Sequence, residues 1–231
     1  MKRALILLHG NKANTSHILN WYSSETSLIC ADGGTEYAKK YDLLPDLVVG
    51  DMDSISLKTL RWLRKHKVKL VKYPRKKNST DSEIAIEKAQ AMGCTELIVF
   101  GLLGDRIDHM SANILYLSTV AEKVVLHIIE GNQTISFIRS VIKITGKEGD
   151  EVSLIPLRKD CKGITTKGLT YGLQNATLPY GSTRGISNVM ESDRAEISIE
   201  DGVLMVVHRN QSYRELDTVF FERRHPEGPT T

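Results

Sequence analysis

The chain has 231 residues, 41% of them hydrophobic and 26% charged. These are the proportions of an ordinary folded protein; they exclude a disordered chain, a collagen or a low-complexity array, and leave room for one large domain or two modest ones. The formal net charge of +3 is too small a surplus to indicate a nucleic-acid partner, although it suits an anionic small molecule.

Three cysteines, Cys30, Cys94 and Cys161, stand far apart, outside the spacing of a zinc site, and read as reduced thiols. The start "MKRALILLHG" has a basic end, but its apolar run is too short for a signal segment and no small-residue cleavage site follows, so it reads as a first strand. No stretch approaches the roughly 20 apolar residues that span a bilayer. A soluble, cytoplasmic protein is expected.

In chain order, strands are predicted over "ALILLH" (4–9), "SLICA" (27–31), "DLVVG" (46–50), "VKLVKY" (68–73), "ELIVFG" (96–101) and "KVVLHII" (123–129). Between them "TEYAKKY", "SLKTLRWLRKH", "DSEIAIEKAQAMG" and "IDHMSANILYLSTVAEK" carry apolar residues at helical spacing, as in Leu57, Leu60 and Leu63 or Ile84, Ala85, Ile86 and Ala89. Alternating strands and helices with short links predict a doubly wound, Rossmann-like α/β domain with a parallel sheet over residues 1–131. From 134 to 221 the segments are short, rich in Ile, Val and Thr, and broken by turn residues, which predicts an all-β sandwich or barrel over 132–222. Within it, Asp201-Gly202 between alternating runs fits a two-residue hairpin turn with positive φ at both positions. The tail 223–231 has nothing to bury and is expected to fray.

In a doubly wound sheet, ligands bind at the carboxyl ends of the strands. Those ends carry Asp32-Gly33-Gly34, then Asp51 and Asp53, then a basic loop (Arg75, Lys76, Lys77) leading to Asp81, then "LLGDRIDH" with Arg106 and Asp108. Each acid alone has a plain alternative as a helix cap: Thr80 and Glu83 form a capping-box pattern around Asp81, and Asp53 precedes a predicted helix. Gathered at one rim, however, the carboxylates repel one another, a cost that capping does not require and that a cation removes. Hard oxygen ligands suit Mg²⁺, which completes its shell with water and phosphates. The backbone amides of Gly33-Gly34 and of Gly101 to Gly104 can approach a phosphate, Arg106 can grip one bidentately, and Arg75, Lys76 and Lys77 add point charges or remain solvated.

The set "ADGG" (31–34), "PDLVVGDMDS" (45–54), "STDSEIAI" (79–86), "GLLGDRIDH" (101–109) and "GISN" (185–188) resembles the thiamine pyrophosphokinase family in order and approximate spacing, over nearly the whole chain. The resemblance implies an N-terminal α/β domain that binds ATP and Mg²⁺ and a C-terminal β-sandwich that binds thiamine. It further implies a homodimer with the thiamine site in a cleft between subunits, and transfer of the pyrophosphoryl group of ATP to thiamine with release of AMP.

By matching motif, Asp51, Asp53 and Asp81 would hold the metal, with Asp108 completing the acidic cluster and Asp32, Gly33, Gly34, Gly104 and Lys77 beside the nucleotide. Arg106 resembles a phosphate-binding arginine, and Ser187 with Asn188 a thiamine-contacting pair. Tyr171 stands where some members carry Trp, and either stacks on thiamine or lies in the core. Asn78 and Asp105 depart from the family's usual Asp and Gly. The general base is Asp81 or Asp108, with His109 as an alternative. Competing readings are a pyrophosphokinase for another alcohol such as a hydroxymethylpterin, a non-catalytic nucleotide sensor, and a metal-dependent phosphohydrolase.

Overall fold

A computed structural model describes residues 1–10, 17–76, 78–104 and 106–210. Lys77, Asp105 and the tail 223–231 lie outside the described residues. The chain separates into two compact units, Met1–Gly131 and a second beginning at Asn132.

The first unit contains strands β1 (Arg3–Leu7), β2 (Ser27–Ala31), β3 (Leu47–Gly50), β4 (Lys69–Lys72), β5 (Glu96–Phe100) and β6 (Val125–Glu130), with helices α1 (Ile18–Trp21), α2 (Thr35–Lys40), α3 (Leu57–Lys65), α4 (Asp81–Ala91) and α5 (Ile107–Val120). The strands pair in parallel in the order β4-β3-β2-β1-β5-β6. Parallel strands covered on both faces read as continuous apolar runs, and Leu5, Ile6, Leu28, Ile29, Val48, Ile98 and Val99 are fully buried accordingly. β4 closes one edge with Lys69 and Lys72 exposed, charges that discourage further pairing.

Ser56 caps α3, its hydroxyl accepting from the Thr59 N–H at 3.2 Å. Thr80 caps α4 in the same way through the Glu83 N–H, also at 3.2 Å. On α3 only part of the expected apolar stripe faces inward: Leu63 is buried and Leu60 packs on the core, but Leu57 is 72% exposed in the first turn. Helix α1 was not expected, since a four-residue helix is too short to display a period.

Because every strand of this sheet runs the same way, Leu7, Ala31, Gly50, Phe100 and Glu130 all end at one edge. The chain order reverses on either side of β1, whose neighbours are β2 and β5. That reversal opens a crevice at the rim.

The second unit has strands β7 (Gln133–Ile138), β8 (Val141–Thr145), β9 (Glu151–Lys167), β10 (Ala176–Leu178), β11 (Asn188–Val189), β12 (Arg194–Ser198) and β13 (Asp201–Arg209), and no helix among its described residues. They run in the antiparallel order β7-β13-β9-β12-β8, with β10 and β11 also on β9. β9 serves both sides by changing direction at Arg158 and Gly163, which have φ of 70° and 67°. Its first part pairs with β13 and its end with β12. Ile142, Ile144, Leu154, Ile164, Ile197, Leu204 and Val206 fill the core. His208 and Asp150, both buried, meet at 2.9 Å between Nε2 and Oδ2.

The Asp201-Gly202 hairpin is not formed. β12 pairs with β8 and β9, whereas β13 pairs with β7 and β9, so 199–200 carries the chain from one set of partners to the other. Asp201 already belongs to β13, and only Gly202 has positive φ, 110°, at a bulge opposite β9. Alternating runs around an Asp-Gly pair signal two strands and a tight turn but do not fix which strands pair.

A side chain at Gly202 would combine that backbone conformation with a Cβ 2.7 Å from the Cys161 sulfur. Gly202→Ala is therefore expected to destabilise the protein by about 1–3 kcal/mol, measured by denaturant unfolding; an unchanged midpoint would contradict the strained bulge.

Candidate active site

Asp32 follows β2 directly and enters a short 3₁₀ turn, Asp32–Gly34, at a φ of 43°. The turn packs tightly on the end of β1: a Cβ on Gly34 would lie 2.1 Å from the Leu7 carbonyl oxygen, and one on Gly33 2.4 Å from the His9 ring. These glycines are buried and let the Asp32 backbone sit close to the neighbouring strand.

β3 ends at Gly50, whose φ is 134°. A Cβ there would stand 3.0 Å from the Asp32 Cβ and 3.3 Å from Oδ1 of Asp81. The missing side chain leaves room for both Asp32 and Asp81 beside the end of β3.

The following loop is knotted around its own carboxylates. The Asp53 N–H donates to Oδ1 of Asp51 at 3.3 Å, the Ser54 N–H to Oδ1 of Asp32 at 3.3 Å, and the Ser54 hydroxyl to Oδ1 of Asp53 at 3.1 Å. Glu36 on α2 holds the far end of the loop: its Oε1 accepts the Ser56 N–H at 2.8 Å and its Oε2 accepts the Thr59 hydroxyl at 2.7 Å.

In this arrangement oxygens of Asp32, Asp51 and Asp53 all lie within 4.8 Å of one another. The acids do not cap α3; Ser56 does that. Burial raises the Asp32 carboxyl above the usual range, opposed by the Ser54 hydrogen bonds and reinforced by the charges of Asp51 and Asp53. Arg75 reaches over the group, 3.0 Å from Asp53 and 4.0 Å from Asp51.

A cleft of about 470 Å³ opens beside these residues, lined among others by His9, Asp32, Asp51, Arg75, Thr80, Asp81, Gly104, Arg106, His109 and Asn113. Its α4 and α5 sides are joined where the Ser82 hydroxyl donates to Oδ1 of Asn113 at 2.9 Å. Asp53 stands at the cluster next to the cleft, while Gly33 and Gly34 are not among its lining residues. Asp108 also lies outside the lining: it is exposed and clasps Arg106, accepting from Nε at 2.9 Å. The guanidinium hydrogen bond holds the Asp108 carboxyl well below the ordinary carboxylate range.

The loop after β5 contributes Gly101, Leu102 and Gly104 to the lining. One amide of this loop has an internal partner: the Leu103 N–H donates to Oε1 of Glu130 at 2.9 Å. Burial pushes the Glu130 carboxyl up to about 7, against the opposing pull of the Leu103, Leu102 and Gly101 amides.

Of the residues expected in the second unit, Asn188 is buried and its amide is spent on Tyr171. Its Oδ1 accepts the Tyr171 N–H at 2.9 Å and its Nδ2 donates to the Tyr171 carbonyl at 2.8 Å. Tyr171 itself is 70% exposed, which removes the core alternative for it. Ser187 adopts a φ of 57° and donates its N–H to the Ser153 hydroxyl at 3.0 Å. The structure thus joins Asn188 with Tyr171 and fixes the backbone of Ser187.

His9, Asn113 and Glu130 escaped the sequence reading. His9 follows β1, so the strand-end rule could have found it. Nothing in "HIIEG" announces a buried carboxylate.

Comparison with known proteins places both units. The family model for the thiamin pyrophosphokinase catalytic domain matches residues 18–129, and that for the thiamin pyrophosphokinase vitamin B1 binding domain matches residues 128–204. A thiamine pyrophosphokinase of Bacillus subtilis is 28% identical over 209 residues, covering 89% of this chain and 98% of the relative. The crystal structure of thiamine pyrophosphokinase from Bacillus subtilis superposes with a TM-score of 0.83 at 25% identity, covering 91% of this chain and all of that one. That of Geobacillus thermodenitrificans has a TM-score of 0.78 at 23% identity, covering 90% and 98%.

The raised carboxyl of Glu130 has a measurable consequence. A folded-state pKa lifted from the ordinary glutamate range to about 7 means that the fold prefers the protonated acid. That contribution to stability is complete below the ordinary glutamate pKa and is lost as pH rises through the folded value. Glu130→Gln removes the titration, so the variant's melting temperature should gain on that of the wild type between about pH 5 and pH 8. A difference that stays constant across this range would contradict the assignment.

Proposed function

Because the chain belongs to the thiamin pyrophosphokinase family, matched in its catalytic and vitamin B1-binding parts across residues 18–204, we propose that it transfers the pyrophosphoryl group of ATP to the hydroxyl of thiamine, giving thiamine diphosphate and AMP. The observation that carries this reading is the approach of Asp32, Asp51 and Asp53 within 4.8 Å beside an open cleft, with Ser56 and Thr80 doing the helix capping.

The donor set tests well for magnesium. It consists of hard carboxylate oxygens without cysteine or histidine, the ligand type of Mg²⁺. Asp32, Asp51 and Asp53 would hold the ion, with Asp81 facing them past Gly50. When bound, Mg²⁺ supplies neutralisation of charge on the polyphosphate.

The chain's own residues do the rest. Arg75 and Arg106, both on the cleft, orient the phosphates by charge-assisted hydrogen bonds. The thiamine oxygen forms a bond to the β-phosphorus, the bond from that phosphorus to the bridging oxygen of the AMP group breaks, and AMP leaves with that oxygen. The hydroxyl proton passes to a carboxylate. Asp81 fits this role because it lines the cleft. Asp108 does not: its clasp with Arg106 lowers its affinity for a proton, and its part is to hold Arg106 in place. On the second unit, the Ser187 hydroxyl and the exposed Tyr171 ring would contact thiamine, with Asn188 orienting Tyr171. A homodimer in the cytoplasm completes this reading; no described helix is long and apolar enough to cross a membrane.

AMP release from ATP and Mg²⁺ with a panel of acceptors tests the assignment. Product with thiamine is expected. Product with another alcohol alone would replace the acceptor, phosphate without any acceptor would indicate hydrolysis, and no product would indicate a sensor. Asp53→Asn should lower turnover by about 100-fold or more while leaving the melting temperature equal or higher, because one repelling charge is gone; near-normal turnover would contradict the metal site. Ser187→Ala should raise KM for thiamine and leave KM for ATP unchanged, and the opposite split would move thiamine elsewhere.

A further inference from the structure

The Leu103 amide, in the loop 101–104, is turned toward a buried carboxylate of the same chain. Glu130 ends β6, is 6% exposed, and accepts the Leu103 N–H at 2.9 Å. The nearby amides of Leu102 and Gly101 also favour its ionised form. Successive amides converging on one anion form a nest, the arrangement that loops elsewhere offer to phosphate. Here the anion is internal.

The surroundings of this nest are rigid. Gly101 has a φ of 74°, and a Cβ there would lie 2.2 Å from the Leu8 carbonyl oxygen. A Cβ on Gly10 would meet the Leu103 and Gly101 carbonyl oxygens at 2.3 and 2.4 Å. From α2 the Tyr37 hydroxyl donates to the Gly10 carbonyl at 2.7 Å, and this phenol feels the charge of Glu130. The residues after β1, Tyr37 of α2 and the loop after β5 are therefore packed on one another where that loop meets Glu130. The same backbone, at Leu8, Gly10, Gly101, Leu102 and Gly104, lines the cleft.

We propose that Glu130 is a positioning residue for the nucleotide: from beneath the cleft it fixes the loop 101–104, and through it the approach of Gly104 and Arg106 to the phosphates. This rests on the reading of the cleft as the ATP site. A buried carboxylate is not needed for packing, since Gln or an apolar residue would fill the space without the cost of desolvating a charge. What the carboxylate adds is a negative charge and a second acceptor oxygen toward these amides, where an amide side chain presents an NH₂ donor instead. Replacing the charge should therefore free the loop while leaving the sheet intact.

The test compares the full-length wild type with Glu130→Gln and Glu130→Asp near about pH 8, where the wild-type carboxyl is ionised. Hydrogen exchange at the 101–104 amides should quicken by about 10-fold or more in Glu130→Gln, with exchange in β1 and β2 unchanged. KM for ATP should rise by about 10-fold with kcat and KM for thiamine little changed. Glu130→Asp keeps the charge and should fall between the two, and it carries the test should the Gln variant fail to fold. Exchange at the wild-type rate in this loop, or a loss confined to melting temperature, would overturn the proposal. A wild type that makes no thiamine diphosphate would count against the proposed activity, while the exchange measurement would still decide the role of Glu130 in the loop.

Discussion

The carboxylates of Asp32, Asp51 and Asp53 approach within 4.8 Å of one another, and Asp81 reaches the bare backbone of Gly50 beside Asp32. Like charges so close raise the free energy of the folded state unless a cation or a proton answers them. Arg75 and the lifted Asp32 carboxyl are partial answers. Under the proposed function a divalent ion shared with a polyphosphate would be a complete one, and the rest of the first unit brings these acids together. The parallel sheet delivers strand ends to one rim, and Ser56 and Thr80 release the acids from capping. Glu36 holds the acidic loop from behind, as Glu130 holds the loop opposite.

The two sides of the cleft therefore use carboxylates in opposite ways. At the mouth three of them are crowded together, which under the proposed function would make them receptive to metal. Beneath the loop 101–104 a single buried carboxylate is supplied with donors, which makes it a fixed part of the scaffold. Arg106 sits at the transition, exposed on the cleft and paired with Asp108. In that pairing it is charged and oriented before any phosphate arrives, which reduces the ordering cost of binding.

The parallel sheet was legible because strands buried on both faces are written as unbroken apolar runs, and the change to short alternating segments after Gly131 announced the β unit. Local signals were weaker guides to pairing. Asp201-Gly202 has the composition of a hairpin turn, yet β12 and β13 find other partners on β9. The acids at the rim could be recognised as a group, but not their grouping. Asp32 sits with Asp51 and Asp53 where its 3₁₀ turn packs on the end of β1 and Gly50 leaves room beside it, whereas Asp108 pairs with Arg106. Sequence spacing carries no trace of such contacts. Asn188 illustrates the same limit, since its amide is spent on the Tyr171 backbone seventeen residues away.

Binding of Mn²⁺ as a spectroscopic substitute for Mg²⁺, followed by electron paramagnetic resonance without turnover, examines the crowded carboxylates directly. One strong site that is retained when Asp108 is changed to Asn, and lost when Asp32, Asp51 or Asp53 is, is the result this structure predicts. Equal Mn²⁺ binding by the wild type and by a protein lacking those carboxylates would contradict it.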